Sequence, residues 1–77
     1  MKSIKVCLDT IGKVEDFVNL VSGCDGHIDL SSGRYEVYAK SIMGIFSLDL
    51  SKPLTLNIHN DQAADRVLPR LKIYEVQ

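Results

Sequence analysis

The sequence lacks any long apolar run: no stretch approaches the roughly 18 residues that suggest a membrane-spanning helix. It also lacks an excess of one charge, since nine Lys plus Arg stand against ten Asp plus Glu, for a net charge of −1. Without a basic field, nucleic acid and anionic membranes are not expected as partners. Repeats, low-complexity segments and linkers are missing as well.

Cysteine is scarce, because Cys7 and Cys24 are the only two in the chain. The N-terminal residues 1–4 do not read as a secretory signal peptide, so we expect a cytoplasmic protein with free thiols. A chain of 77 residues is expected to form one domain over residues 1–77, in which roughly 60% of the unfolded surface can be buried. Such a small domain has little room for a deep catalytic cleft, so we do not expect one.

Apolar residues at alternate positions predict short strands with one buried face. The strands have their apolar positions at Ile4, Val6 and Leu8, at Ile28 and Leu30, at Tyr35, Val37 and Ala39, and at Leu54, Leu56 and Ile58. In the first strand Cys7 would point away from the core. Residues 31–33, Ser-Ser-Gly, are typical of a turn, so the second and third strands are predicted to form a hairpin.

Helical spacing marks two further segments. The first helix has apolar residues at i, i+3, i+4 and i+7, namely Val14, Phe17, Val18 and Val21, and is expected to end at Gly23. A last helix with Ala64, Val67, Leu68 and Leu71 on one face follows a cap at Asn60 or Asp61. Pro69 should kink this helix or end its first part. Residues 73–76 fit no single element.

The predicted order is strand, helix, strand, strand, short helix, strand, helix. Each strand offers one apolar face and each helix one apolar side. An antiparallel four-stranded sheet covered on one face by helices buries all of them. The sequence therefore predicts an α+β fold of βαββαβα order.

Residues 40–44 read Lys-Ser-Ile-Met-Gly and are followed by an apolar turn. This segment closely resembles the regulatory-serine segment of HPr, the small phosphocarrier of the bacterial sugar phosphotransferase system. The element order is also that of the HPr family, so the resemblance implies the HPr-like open-faced β-sandwich. By element order it covers nearly the whole chain, and its specific sequence support lies between Gly33 and Leu50.

The carrier histidine of HPr has no counterpart here. In HPr it lies at the start of the first helix in a Gly-Ile-His-Ala-Arg-Pro type pattern, whereas residues 9–14 contain no histidine, arginine or proline. Thr10 lies nearest to that place, and an unactivated hydroxyl cannot accept phosphate and return it. Lys13 could attract an anion, but Asp49 stands where HPr tends to have glycine, and its carboxylate would repel a phosphate. Both departures argue against carrier chemistry.

The two histidines present, His27 and His59, are predicted at the end of the sheet away from the start of the first helix. They would then be unable to replace the missing residue. They are interpreted either as surface histidines at strand ends or, with Cys24, as a metal site. One Cys-x-x-His pair falls short of the four ligands that structural zinc usually takes. We therefore expect no metal and no cofactor.

Ser41 has two interpretations as well. It is an ordinary helix N-cap, or it is a site of regulatory phosphorylation. The resemblance implies the second: the serine of HPr is phosphorylated by an ATP-dependent kinase in low-GC Gram-positive bacteria, and the phosphorylated form binds a transcriptional regulator.

The short helix, from Ser41 to about Leu48, has apolar residues on two sides. Ile45 and Leu48 are predicted to be buried, while Ile42, Met43 and Phe46 form an exposed patch. In HPr the matching positions dock partners, so the resemblance implies a partner-binding surface that includes Lys40. The alternative is a shifted register with Phe46 in the core. Gly44 suggests close approach by another backbone.

The leading hypothesis is a non-catalytic regulatory or interaction protein of HPr type. The resemblance implies that its partners are HPr kinase, phosphotransferase-system enzymes or a transcriptional regulator, and that it acts as a monomer in the bacterial cytoplasm. The first alternative is a functional phosphocarrier that uses an unrecognised acceptor. The second is a small structural subunit with a decayed site.

Overall fold

The computed structural model describes residues 2–24 and 26–76 of the chain. Met1, Asp25 and Gln77 belong to the single domain predicted over residues 1–77 but lie outside the described residues. The elements are β1 (Lys2–Val6), α1 (Ile11–Ser22), β2 (Ile28–Ser32), β3 (Tyr35–Tyr38), α2 (Ile42–Phe46), β4 (Leu54–Ile58), α3 (Asp61–Val67) and a 3₁₀ helix (Leu68–Tyr74).

The four strands form one antiparallel sheet in the order β1-β4-β2-β3. The register aligns Ile4, Leu56, Leu30 and Val37 in a row across the sheet. These side chains point toward the helices, so the residues between them point to the opposite face. The predicted α+β fold, with four antiparallel strands and the order βαββαβα, is confirmed.

The core lies between the sheet and the helices. From α1 it takes Val14, Phe17 and Val21, which are fully buried, as the helical spacing predicts. The Phe17 ring meets Tyr74 of the 3₁₀ helix edge to face, with 6.1 Å between ring centroids. The C-terminal segment therefore closes the core over α1.

The last helical segment changes character at Pro69. α3 begins after Asn60, whose side-chain oxygen accepts from the amides of Gln62 and Ala63, which is the predicted cap. It ends at Val67 and continues as a 3₁₀ helix, because proline supplies no amide to the α-helical hydrogen bonds. The ambiguous residues 73–76 finish this helix and then join the edge of β1 through a bridge between Val6 and Glu75.

The hairpin differs in detail from its prediction. Residues 31 and 32 belong to β2, and the turn consists of Gly33 and Arg34, with Gly33 at φ 58°. That left-handed conformation suits glycine and explains why the turn is centred there. Tyr35, predicted on the apolar face of β3, is 74% exposed, because β3 is an edge strand with little packed against this end.

Both cysteines are free thiols and are half-buried, including Cys7, which the sequence pattern turns away from the core. Among the described residues no helix combines the length and apolar character that crossing a membrane requires.

Candidate functional site

Ser41 caps α2. Its backbone is extended, and its Oγ accepts a hydrogen bond from the amide of Gly44 at 3.2 Å. Serine favours this position because its short side chain satisfies an amide that the helix leaves unpaired. α2 covers Ile42–Phe46 and is followed by Ser47, so the helix is shorter than the predicted run to about Leu48. The side chain of Ser41 is half-buried and lies at the edge of the helix layer.

The apolar residues of α2 divide as predicted, with one exception. Ile45 and Leu48 are buried, whereas Met43 is 77% and Phe46 39% exposed. The alternative that places Phe46 in the core is therefore wrong. Ile42, predicted to be exposed, is half-buried and packs against the core, because the first turn of α2 lies close to the sheet. The exposed surface thus consists of Met43 and Phe46, with Ile42 at its inner edge.

Gly44 allows close packing, although not against a backbone as predicted. A Cβ at this position would lie 3.3 Å from the Val37 Cβ and 3.2 Å from the Ser41 Oγ. The close neighbours are therefore a side chain of β3 and the cap itself. A larger residue would press on the hydroxyl of Ser41.

Lys40 has a structural contact. Its Nζ donates to the backbone carbonyl of Cys24 at 2.6 Å in a half-buried position. This bond ties the segment before α2 to the end of α1. The ammonium is therefore held at the end of α1 by the Cys24 carbonyl.

The start of α1 is an exposed, ion-paired helix end. Thr10 is its N-cap, and the hydroxyl accepts from the amide of Lys13 at 3.1 Å. The Lys13 Nζ lies 2.9 Å from the Asp9 carboxylate. This hydrogen bond and the charge of Lys13 lower the pKa of Asp9, and the same pair raises the pKa of Lys13. The cation that could attract an anion already has a carboxylate beside it.

The carboxylate of Asp49 also has hydrogen-bond partners. Its Oδ1 accepts from the hydroxyl and the amide of Ser51, and the hydroxyl bond is the main reason that the pKa of Asp49 lies below its ordinary value. Asp49 is therefore ionised at neutral pH.

His27, directly before β2, and His59, directly after β4, lie opposite each other at the same end of the sheet. The register pairs Ile28 with Ile58, and the amide of His59 donates to the carbonyl of His27 at 3.0 Å. Val6, which leads toward α1, is paired with Leu54 at the other end of β4. The predicted position of the histidines, away from the start of α1, is confirmed.

Asp29 joins the two histidines into a cluster. Its side chain is only 3% exposed, and its Oδ2 lies 2.8 Å from the Nε2 of His59 and 3.3 Å from the Nε2 of His27. The imidazole of His27 stacks on Tyr38, with 5.6 Å between ring centroids. The histidines are therefore partners of a buried carboxylate, which neither interpretation of the sequence included.

Hydrogen bonds fix the other oxygen of Asp29. The Asn57 amide group donates to Oδ1 at 2.8 Å, and Ser3 in turn donates to the Asn57 oxygen at 2.7 Å. Burial raises the pKa of Asp29, but its hydrogen bonds with Asn57, His59 and Glu36 and the charge of His59 outweigh burial and hold the pKa below its ordinary value. The carboxylate is ionised at neutral pH.

The alternative interpretation of Cys24, His27 and His59 as a metal site does not match the geometry. Within the described part of the chain, the group whose ligand atoms lie close enough to hold an ion is His27, Asp29 and His59. Cys24 packs against the core and uses its carbonyl for Lys40. A signal for Asp29 was present in the sequence: His-Ile-Asp and Asn-Ile-His put polar residues two apart, on the same face of each strand.

Comparison with known proteins supports the fold. A scan against family models and a search of curated proteins found no match. Among solved structures, the chain is similar to one described as the crystal structure of HPr-C-His from Thermoanaerobacter tengcongensis, with a TM-score of 0.75 and 23% identity. The alignment covers 94% of this chain and 92% of the other. The protein thus has an HPr-like fold.

Proposed function

We propose that this protein is a non-catalytic regulatory protein of HPr type, phosphorylated at Ser41 and bound by a protein partner through Met43, Phe46 and the edge of Ile42. The observation that carries the proposal is the position of Ser41, which caps α2 directly beside the exposed Met43. In this proposal the protein acts as a cytoplasmic monomer.

The cap position suits a modification that leaves the fold intact. A phosphate on Ser41 adds a charge of nearly −2 and three strong acceptor oxygens. These oxygens can accept a hydrogen bond from the Gly44 amide, which now donates to the Ser41 hydroxyl oxygen. Lys40 lies next in sequence, although its ammonium is held at Cys24. We therefore expect the modification to change binding more than stability.

The surface beside Ser41 suits a transient interface. Met43 is flexible and polarizable, and with the half-exposed ring of Phe46 it can adapt to more than one partner. A phosphate next to this apolar patch would disfavour an acidic rim on the partner and favour one that presents arginine. Phosphorylation would thus select among partners.

The absence of a carrier histidine supports a regulatory role over carrier chemistry. Residues 9–14 offer a capping threonine and an ion-paired lysine in place of a nucleophilic imidazole. The alternative, a carrier with an unrecognised acceptor, would have to use a residue elsewhere in the chain.

The test is to incubate the protein with purified HPr kinase and ATP and to measure its intact mass and the site of phosphate. We expect one acid-stable phosphate, present in wild type and Ser47→Ala and missing in Ser41→Ala. Ser47 is a matched control because it follows the same helix at its other end. No phosphorylation, or phosphate on Ser47, would contradict the proposal.

A second arm addresses the carrier alternative. With phosphoenolpyruvate and the first enzyme of the sugar system, we expect no acid-labile phosphate on His27 or His59. A stoichiometric phosphohistidine at either residue would replace the proposal with the carrier function.

A further inference from the structure

We propose that His27, Asp29 and His59 form a binding site for a divalent transition-metal ion, best matched by zinc, on the face of the sheet that the helices leave open. The site is independent of Ser41 and of the function proposed above. Its residues come from two strands whose order and register are set by the core.

The backbone brings the ligands together without any loop rearrangement. His27 and Asp29 are two residues apart at the start of β2, and Asn57 and His59 are two apart at the end of β4. Because the register pairs residue 28 with residue 58, the four side chains form a two-by-two block on one face. Ile28 and Ile58 between them are fully buried on the other face and anchor the block to the core.

The three candidate ligand atoms converge on one point. All three candidate ligand atoms lie within 4.8 Å of one another, and both Nε2 atoms approach the same Asp29 oxygen, at 2.8 and 3.3 Å. Bonds of about 2.0 to 2.2 Å in a tetrahedron separate ligand atoms by roughly 3.3 to 3.6 Å. Small side-chain rotations would therefore open room for an ion among atoms that already converge.

Supporting hydrogen bonds already orient the carboxylate. Asn57 holds Oδ1 of Asp29 at 2.8 Å and is itself held by Ser3, so Oδ2 faces the imidazoles. On the other side, Tyr38 stacks on the ring of His27. Outer contacts of this kind are what fix ligand direction in natural metal centres.

The charge balance favours a cation. The Asp29 side chain is buried, and its Oδ2 lies within 3.3 Å of both imidazoles. A buried carboxylate is costly unless a charge or hydrogen bonds compensate it. A divalent ion bound at Oδ2 would supply that charge.

The donor set identifies the class of ion. Two imidazoles with one carboxylate suit zinc, copper or nickel, whereas magnesium and calcium prefer sites made of oxygen. The side chains of His27 and His59 are 60% and 41% exposed, so the outer side of the site is open to solvent. Water can complete the coordination there, as it does in zinc sites with three protein ligands.

The experiment is calorimetric titration of the untagged protein with zinc chloride and, separately, with magnesium chloride. A polyhistidine tag must be absent because it binds zinc itself. We expect one zinc per chain and no magnesium binding. His27→Gln and His59→Gln should each weaken zinc binding by at least about tenfold, the range seen even for outer contacts of metal centres. Circular dichroism confirms that each variant is folded.

The controls separate this site from other zinc-binding groups. Cys24→Ser and Cys7→Ser should leave zinc binding unchanged, whereas Asp29→Asn, which keeps the shape of the side chain, should weaken it. In wild type, zinc should shift the ring proton resonances of both histidines together. The proposal is overturned if zinc does not bind, if the loss occurs in a cysteine variant, or if folded histidine variants bind as wild type does. In each case the cluster is a hydrogen-bonded group without metal.

Discussion

The start of α1 and the histidine end of the sheet each hold a carboxylate beside a basic group, at nearly the same distance. Asp9 lies 2.9 Å from Lys13, and Asp29 lies 2.8 Å from His59. The Asp9 side chain is 50% exposed, however, and that of Asp29 only 3%. Distance alone therefore does not rank the two pairs, because water surrounds both partners of the first pair but reaches only the histidine of the second.

The histidines of this chain lie at the opposite end of the sheet from the carrier histidine that the HPr resemblance implies. At the helix start, where HPr has its carrier histidine, this chain has a capping threonine and an exposed ion pair. At the opposite end of the sheet it has two imidazoles around a buried carboxylate. The clustered titratable side chains are thus at the end of the sheet away from the start of α1.

The largest effect is expected from Asp29→Ala. The substitution removes the buried acceptor of the half-buried Asn57 amide and of the His59 ring, and hydrogen bonds to a charged group contribute about 1.5 to 3 kcal/mol. Urea unfolding should show a midpoint lowered accordingly, with Asp29→Asn less affected because it keeps one oxygen acceptor. An unchanged midpoint for Asp29→Ala would mean that burial does not distinguish the two carboxylates.

A smaller effect is expected from Thr10→Ala, which removes the cap of α1. The Lys13 amide loses its side-chain acceptor, and cap removal typically costs about 1 kcal/mol. Thermal unfolding should show the loss, and Thr10→Ser, which retains the hydroxyl, should restore stability. Equal melting temperatures for Thr10→Ala and wild type would show that packing alone maintains the helix start.

The smallest effect is expected from Asp9→Ala. It breaks an ion pair between two exposed side chains, and such pairs contribute little to stability. The urea midpoint should stay within error of wild type at moderate salt. A loss as large as that of Asp29→Ala would contradict the comparison, since the exposed pair would then count as much as the buried one.

Much of the fold was predictable from local patterns. The spacing of Val14, Phe17 and Val21 predicts α1, and Pro69 predicts the change from α3 to a 3₁₀ helix. Both depend on neighbours within a few residues. The hairpin turn was predicted two residues too early, because its position depends on pairing between strands. Ser31 and Ser32 suit a turn locally, but they pair with β3 and therefore belong to β2.

The candidate site was less predictable. Exposure of Met43 and Phe46 follows from the two apolar sides of a short helix, yet the half-buried position of Ile42 depends on how closely α2 approaches the sheet. The contact of Lys40 with the Cys24 carbonyl joins residues 16 apart in the sequence. No local pattern reports such a contact.

The sequence by itself determined the order of the elements and the absence of histidine from the start of α1, because periodicity, caps and residue identity are local properties. Only the tertiary structure decided that Asp29 lies between His27 and His59. Asp29 and His59 are 30 residues apart, and they meet because β2 pairs with β4 in a single register. Burial of Ile28 and Ile58 on the other face of the sheet selects that register. A slip of one residue would turn the side chains of the histidine cluster into the core.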